Sequence, residues 1–215
     1  MAEKNNDIIE FDLDELLPAL AENIKEDIKT PEDLISIDGF VRREIYLYSI
    51  NAGTGSSIEG QIRYWNQQDA DKGIPREKRK PIKLYIDSEG GSLTDTLTII
   101  DAIKMSKTPV YTINMGCAYS GGFFVFICGH KRYSYNNASF LFHEGNVGNA
   151  GDAGKFRNFA DFYNKQLDLL KKIVLDNSSI TPEFYKEHQK DDLWLTPDEA
   201  LDLGCCDAIL KEFII

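Results

Sequence analysis

Long apolar runs are missing from this 215-residue chain: nowhere do about 18 apolar positions follow one another, as a membrane-spanning helix requires. The N-terminus is acidic where a secretory leader would be basic and then apolar. A soluble cytoplasmic protein with no membrane partner is the expectation. Cysteine is scarce, and Cys117, Cys128, Cys205 and Cys206 show no C-x-x-C spacing. Adjacent cysteines do not easily pair with each other, so buried, reduced thiols are expected. His, Cys and acidic residues form no cluster at metal-ligand spacing, and no G-x-x-x-x-G-K-[ST] loop is present. Neither a metal nor another cofactor is expected, and any ATP would be used by a partner. Basic residues are outnumbered 24 to 35, and a net charge of −11 argues against nucleic acid as a partner.

That charge is unevenly spread. Residues 1–33 hold eleven acids against three lysines and so carry −8, leaving −3 for the rest. The acidity belongs to an N-terminal appendage, residues 1–40, set before a single domain of residues 41–215, a length that one core readily supports. Within the appendage Leu13, Leu16, Leu17, Leu20, Ile24 and Ile28 follow helical spacing. A surface helix packed on its own domain is the simpler reading of that row, and a partner-docking segment the other.

The remaining pattern alternates. Arg43–Ile50 reads as a strand, Ser57–Gln67 as a helix with Ile58, Ile62 and Trp65 on one side, and 68–80 as an exposed charged loop. Pro81–Asp87 is a second strand, and Ser92 with Asp95 resembles a capping box opening a helix faced by Leu93, Leu97, Ile100 and Ile103. Val110–Asn114 is a third strand, and Gly121–Cys128 a helix apolar all round, hence buried. Strands Lys131–Tyr135 and Ser139–His143 precede a glycine-rich segment, 145–154, and a long helix from about Asp152 to Asp176. Thr181-Pro182-Glu183 and Thr196-Pro197-Asp198-Glu199 each mark a helix start, the second helix ending at Gly204 before a short strand, Cys206–Leu210. Strand and helix in alternation mean parallel β with crossover helices, an α/β class.

Ser120 lies between an apolar strand and a glycine-led apolar helix, where helix-terminal N–H groups face whatever reacts beside it. The G-x-S-x-G elbow is not matched, because Ala118 stands two before the serine. Acyl transfer by serine needs a base, an acid to orient it and N–H donors for the oxyanion. Of three histidines, His143 ends an apolar strand before the glycine-rich loop, His130 follows the buried helix at a turn, and His188 lies on a polar helix. His143 is the best base. Asp191 and Asp192 both precede Leu193-Trp194-Leu195, at the edge of an apolar run partly shielded from water, and pattern alone does not choose between them. Gly90-Gly91 permits close backbone approach, and Gly121 offers the N–H after Ser120.

Four blocks, Asp87-Ser88-Glu89-Gly90-Gly91-Ser92, Gly116-Cys117-Ala118-Tyr119-Ser120-Gly121-Gly122, Leu141-Phe142-His143-Glu144, and Asp192 through Gly204, together resemble the Clp protease proteolytic-subunit family, peptidase family S14. The resemblance runs in order from about Arg43 to Leu210. It implies the ClpP/crotonase-like α/β fold, with a parallel sheet, crossover helices and a protruding strand-helix handle. It also implies a self-compartmentalised serine endopeptidase cutting unfolded proteins or short peptides. Ser120 then matches the nucleophile, His143 the base, Asp192 rather than Asp191 the acid, and Gly91 and Gly121 the oxyanion donors. Gly90, Gly145, Asn146, Val147 and Gly148 fall in the peptide-binding segments, the last four in the family's glycine-rich strand. Assembly as a double heptameric ring joined through the long helix, and an AAA+ unfoldase as partner, are implied as well. Alternatives are a phage-type head-maturation protease acting on capsid proteins and a catalytically silent structural paralogue. Gly121 departs from the family's usual methionine, Tyr119 from a small residue, and Glu144-Gly145 from a Gln-Pro pair.

Overall fold

Ile82, Lys83 and Leu84 are consecutive and all buried, so the strand they form has both faces covered, as a central parallel strand does. Lys83 is tolerated there because its ammonium pairs with Glu44 at 2.6 Å and donates to the Ile214 carbonyl at 3.2 Å. The structure is a computed structural model that describes residues 30–145, 147–148 and 151–214. The leucine and isoleucine row of residues 13–28 lies outside the described residues, as does Asn146.

The chain divides between Arg42 and Arg43 into two units. In the first, the described part is one helix, α1 (Pro31–Val41), which leaves Ile35, Phe40 and Val41 exposed. The second begins β1 (Glu44–Leu47), α2 (Thr54–Asp71), β2 (Ile82–Ser88), α3 (Leu93–Met105), β3 (Val110–Tyr119), α4 (Gly121–Ile127). It continues β4 (Lys131–Ser134), β5 (Ser139–Phe142), α5 (Ala153–Asp176), α6 (Pro182–His188), β6 (Leu193–Leu195), α7 (Pro197–Asp202) and β7 (Ala208–Ile209). This is the mixed α/β architecture expected, with strand order β1-β2-β3-β4-β7, all parallel. No described helix is long and apolar enough to cross a membrane.

β3 does more than its apolar stretch predicts. Expected to end at Asn114, it continues to Tyr119, its first half paired with β4 and its last three residues with β5. The register against β2 shifts between Ile86 and Ser88, and there the Asp87 carboxylate accepts from the Cys117 N–H at 3.0 Å in place of a ladder bond. A Cβ at Gly116 would lie 2.3 Å from that carboxylate, so any other residue there would displace Asp87 from its bond to Cys117.

Other boundaries moved for similar reasons. α2 runs four residues beyond Gln67 because Asp69, read from its charge as part of a loop, is fully buried, bonded to Arg43 at 2.6 and 2.8 Å and to the Thr108 hydroxyl at 2.7 Å. Ser92 caps α3 as expected, yet Asp95 does not return to the cap N–H, which donates to the Ile50 carbonyl instead. One Asp95 oxygen takes the Ser92 hydroxyl and the other the Gly53 and Gly55 N–H groups at 3.0 Å, tying the start of α2 to α3. The full capping box forms at Thr196 and Glu199, where the longer side chain reaches back. β6 was not anticipated, since three residues are too few to show a period. The described residues of 145–151 are not in a strand, and the described part of the handle is α5, capped by Asp152.

All seven residues of α4 are buried, and Phe123, Phe124, Phe142 and Tyr185 pack ring against ring beneath it. α5 is the contrast. Only Leu170, Ile173 and Val174 near its C-terminus are buried, while Phe156 and Phe162 are 52% and 58% exposed. All four cysteines are free; burial pushes the Cys128 and Cys205 thiols up to about 12, which leaves them inert.

Candidate active site

Ser120 follows the last residue of β3 and precedes the first of α4, with φ 51° and ψ −119°. A non-glycine residue with positive φ costs of order 1–3 kcal/mol and persists only where its surroundings hold it. The Ser120 N–H donates to the Leu141 carbonyl of β5 at 2.9 Å, and its own carbonyl accepts from Phe124 at 3.2 Å. The 88–91 turn presses on the same elbow: a Cβ at Gly90 would stand 2.7 Å from the Gly121 nitrogen and the Tyr119 oxygen. Gly91, at φ 142°, has no room either, since its Cβ would fall 2.1 Å from the Ile50 carbonyl oxygen.

Those glycines bring two N–H groups to one corner. The Gly91 nitrogen is 3.4 Å from the Cβ that Gly121 would carry, and among the described residues neither N–H has an acceptor. A side chain at Gly121 would force Thr96 to shift, because Thr96 Oγ1 would sit 2.5 Å from its Cβ.

His143 follows β5, its side chain 23% exposed, with Nδ1 3.2 Å from Asp192 Oδ1. The register explains the choice of aspartate. β5 and β6 are antiparallel with Phe142 opposite Leu193, so the next pair outward is His143 and Asp192. Asp191 lies one residue beyond that pair, in the turn after α6, its backbone N–H donating to the His188 carbonyl at 3.1 Å. When Nδ1 carries the proton and donates it to the carboxylate in a hydrogen bond, Nε2 holds the free lone pair, which is the tautomer a base requires. One expectation fails: Asp192 is not shielded by the apolar run, and 58% of its side chain is exposed, because the three-residue edge strand puts it at the rim.

The other histidines are accounted for. His130 Nδ1 accepts from the Val110 N–H at 3.0 Å at the start of β3, and burial lowers its pKa. His188 bonds the Phe184 carbonyl at 2.9 Å and stacks on that ring.

Ser120, His143, Gly91, Gly121, Gly145 and Val147 line one cleft of about 400 Å³. Gly90 lies behind the elbow, and Gly148 is outside the described lining. The cleft also contains Thr96, Glu89, Glu144 and Tyr163, none of which the sequence pattern singled out as a site residue. Tyr163 donates to the Glu144 carbonyl at 3.1 Å, a contact across 19 residues with no local signature. A hydroxyl, an imidazole oriented by a carboxylate, and two unoccupied N–H donors in one cleft are the parts acyl transfer requires.

The Clp protease family model matches residues 42–213 of this chain. An ATP-dependent Clp protease proteolytic subunit of Streptococcus agalactiae is 31% identical over 160 residues, 73% of this chain and 78% of the relative. That of Leuconostoc citreum is 33% identical over 161 residues, covering 73% and 76%. The ATP-dependent Clp protease proteolytic subunit 2 of Treponema pallidum is 30% identical over 135 residues, covering 62% and 68%.

Proposed function

This chain belongs to the Clp protease family, and we propose that it is the catalytic subunit of a self-compartmentalised serine endopeptidase that hydrolyses unfolded proteins or short peptides. The observation that carries the reading is the Ser120 elbow sharing a cleft with the His143–Asp192 pair.

In this reading Ser120 Oγ attacks the peptide carbonyl carbon while its proton passes to His143 Nε2. The carbonyl electron pair moves to oxygen, which accepts from the Gly91 and Gly121 N–H groups. Donors of this kind are worth about 10²–10³ in rate each, because they are already aimed when charge develops. His143 then protonates the leaving amine, and water attacks the acyl-serine by the same route reversed. Asp192 holds the imidazole tautomer. The segment containing Gly145, Val147 and Gly148 lies open beside the cleft, and an extended substrate would pair with it by strand addition.

The exposed aromatic half of α5 supports oligomeric action. Phe156 and Phe162 face water in the single chain, an arrangement that burial against a second ring would relieve. A double heptameric ring is the assembly proposed, with an AAA+ unfoldase supplying chains at the expense of ATP.

A serine-directed fluorophosphonate tests the chemistry. One adduct is expected at Ser120, lost in Ser120→Ala. A protein inert to the reagent and to every peptide offered would instead be the silent structural subunit.

A further inference from the structure

The cleft beside Ser120 holds two carboxylates that hydrolysis does not use, Glu89 and Glu144. Each is close in sequence to a proposed reacting group: Glu89 is two residues before Gly91, and Glu144 follows His143. Among the described lining residues there is no lysine or arginine. The rest of the wall is largely apolar, with Leu93, Phe124, Val147 and Leu170.

Glu144 is the better placed of the two. Its side chain is partly buried, and the Tyr163 hydroxyl pins its backbone at the cleft edge. Burial raises its pKa, outweighing the pull of Lys190 and Lys171 and the nearby Tyr185 hydroxyl. Neither lysine is in the cleft lining, so the compensation they offer comes from outside it. A partly dried carboxylate facing an apolar cleft is stabilised by a cation arriving from the cleft side.

Only one kind of peptide side chain matches both features. A lysine or arginine lays its methylene stem on apolar surface while its charged head reaches the polar edge. A neutral aliphatic side chain would cover the wall and add nothing to the compensation that reaches Glu144 from outside the cleft, and an acidic one would add like charge. We propose that this cleft selects peptides carrying a lysine or arginine side chain beside the reacting bond, with Glu144 as the specificity-determining carboxylate and Glu89 as a second anionic contact. The inference rests on the peptide-cleaving reading for the words "reacting bond", but its recognition chemistry can be tested apart from catalysis.

The test uses the full chain as Ser120→Ala, so that binding is read without turnover. Three fluorescent glycine-serine peptides differ at one position only, bearing lysine, norleucine or glutamate, and binding is followed by anisotropy. Lysine should bind on the order of tenfold tighter than norleucine, with glutamate weakest, and the gap should narrow in high salt. Glu144→Gln in the same background should remove most of the lysine advantage. Glu144→Lys should transfer the preference to the glutamate peptide, which a merely destabilised fold would not do. Equal binding of lysine and norleucine, a lysine advantage indifferent to both substitutions, or no binding of any peptide would overturn the proposal. Hydrolysis of the same peptides by the wild-type chain is scored separately. Lysine-selective binding without hydrolysis counts against the peptidase reading alone, and hydrolysis without selectivity against this one alone.

Discussion

Ser120 sits on an elbow whose neighbours are packed backbone atoms, whereas Asp192, outside the cleft lining and bonded to it through His143, leaves 58% of its side chain in water. The elbow is held by a bond to β5, by the 88–91 turn and by a helix with no exposed residue. Asp192 is held by a three-residue edge strand and a 3.2 Å contact with His143. The position of Ser120 is therefore over-determined, and His143 and Asp192 are the adjustable half. Asp69 sharpens the contrast, being an aspartate paired with Arg43 as Asp192 is with His143, but with none of its side chain exposed.

The largest effect should follow loss of the nucleophile. Ser120→Ala is expected to lower peptide hydrolysis by about 10⁶-fold, measured on a short fluorogenic peptide with the fold checked by circular dichroism. Retained turnover would place the chemistry elsewhere.

Asp192→Asn comes next. Its loss should be smaller, about 10²–10⁴-fold, because an exposed carboxylate orients the imidazole with help from solvent. Asp191→Asn should cost little. If Asp191→Asn proved the more damaging, the β5–β6 register argument would be wrong.

Assembly is probed on the exposed half of α5. Phe162→Glu should leave the single chain folded, since the side chain is 58% exposed there, while lowering sedimentation mass and activity together. A wild-type chain that sediments as an active monomer would contradict the ring.

Asp69→Asn should cost stability rather than activity, about 3 kcal/mol for breaking a buried pair. Asp69 is buried, which alone would raise its pKa, but hydrogen bonds from Arg43 and Thr108 and the nearby guanidinium charges hold it below the usual carboxylate value. Its contribution is then present above the unfolded value near pH 4 and lost as pH falls through the lower folded value. Urea melts of both forms should differ fully at pH 7 and converge in acid.

The smallest effect tests the strain at the elbow. Ser120→Gly should be about 1 kcal/mol more stable than Ser120→Ala, because glycine enters positive φ without the Cβ penalty. Equal melting temperatures would mean that the conformation stores no strain.

Much of the fold was legible because the signals are local. The caps at Ser92, Thr181 and Thr196 formed where expected, each depending on atoms within three residues. The all-apolar helix after Ser120 was buried, and the long helix began within a residue of its expected start. Where readings slipped, a distant partner intervened. Asp69 continued a helix because Arg43 and Thr108 met it, and Asp87 extended β3 by accepting from Cys117. For the candidate site, the serine and the histidine stood out by position between elements. The two aspartates were indistinguishable by pattern, since neighbours in sequence share every local property.

The sequence by itself determined the alternation of strand and helix, the buried helix behind Ser120 and the glycines without which the turn and the elbow collide. These follow from side-chain volume, period and short-range hydrogen bonds, which act along the chain. Tertiary structure alone decided the positive φ of Ser120, the pairing of His143 with Asp192 and the shared corner of the Gly91 and Gly121 N–H groups. Each depends on strands and turns meeting across 30 to 49 residues or on backbone held by such meetings, and a sheet register is set only when the whole sheet packs.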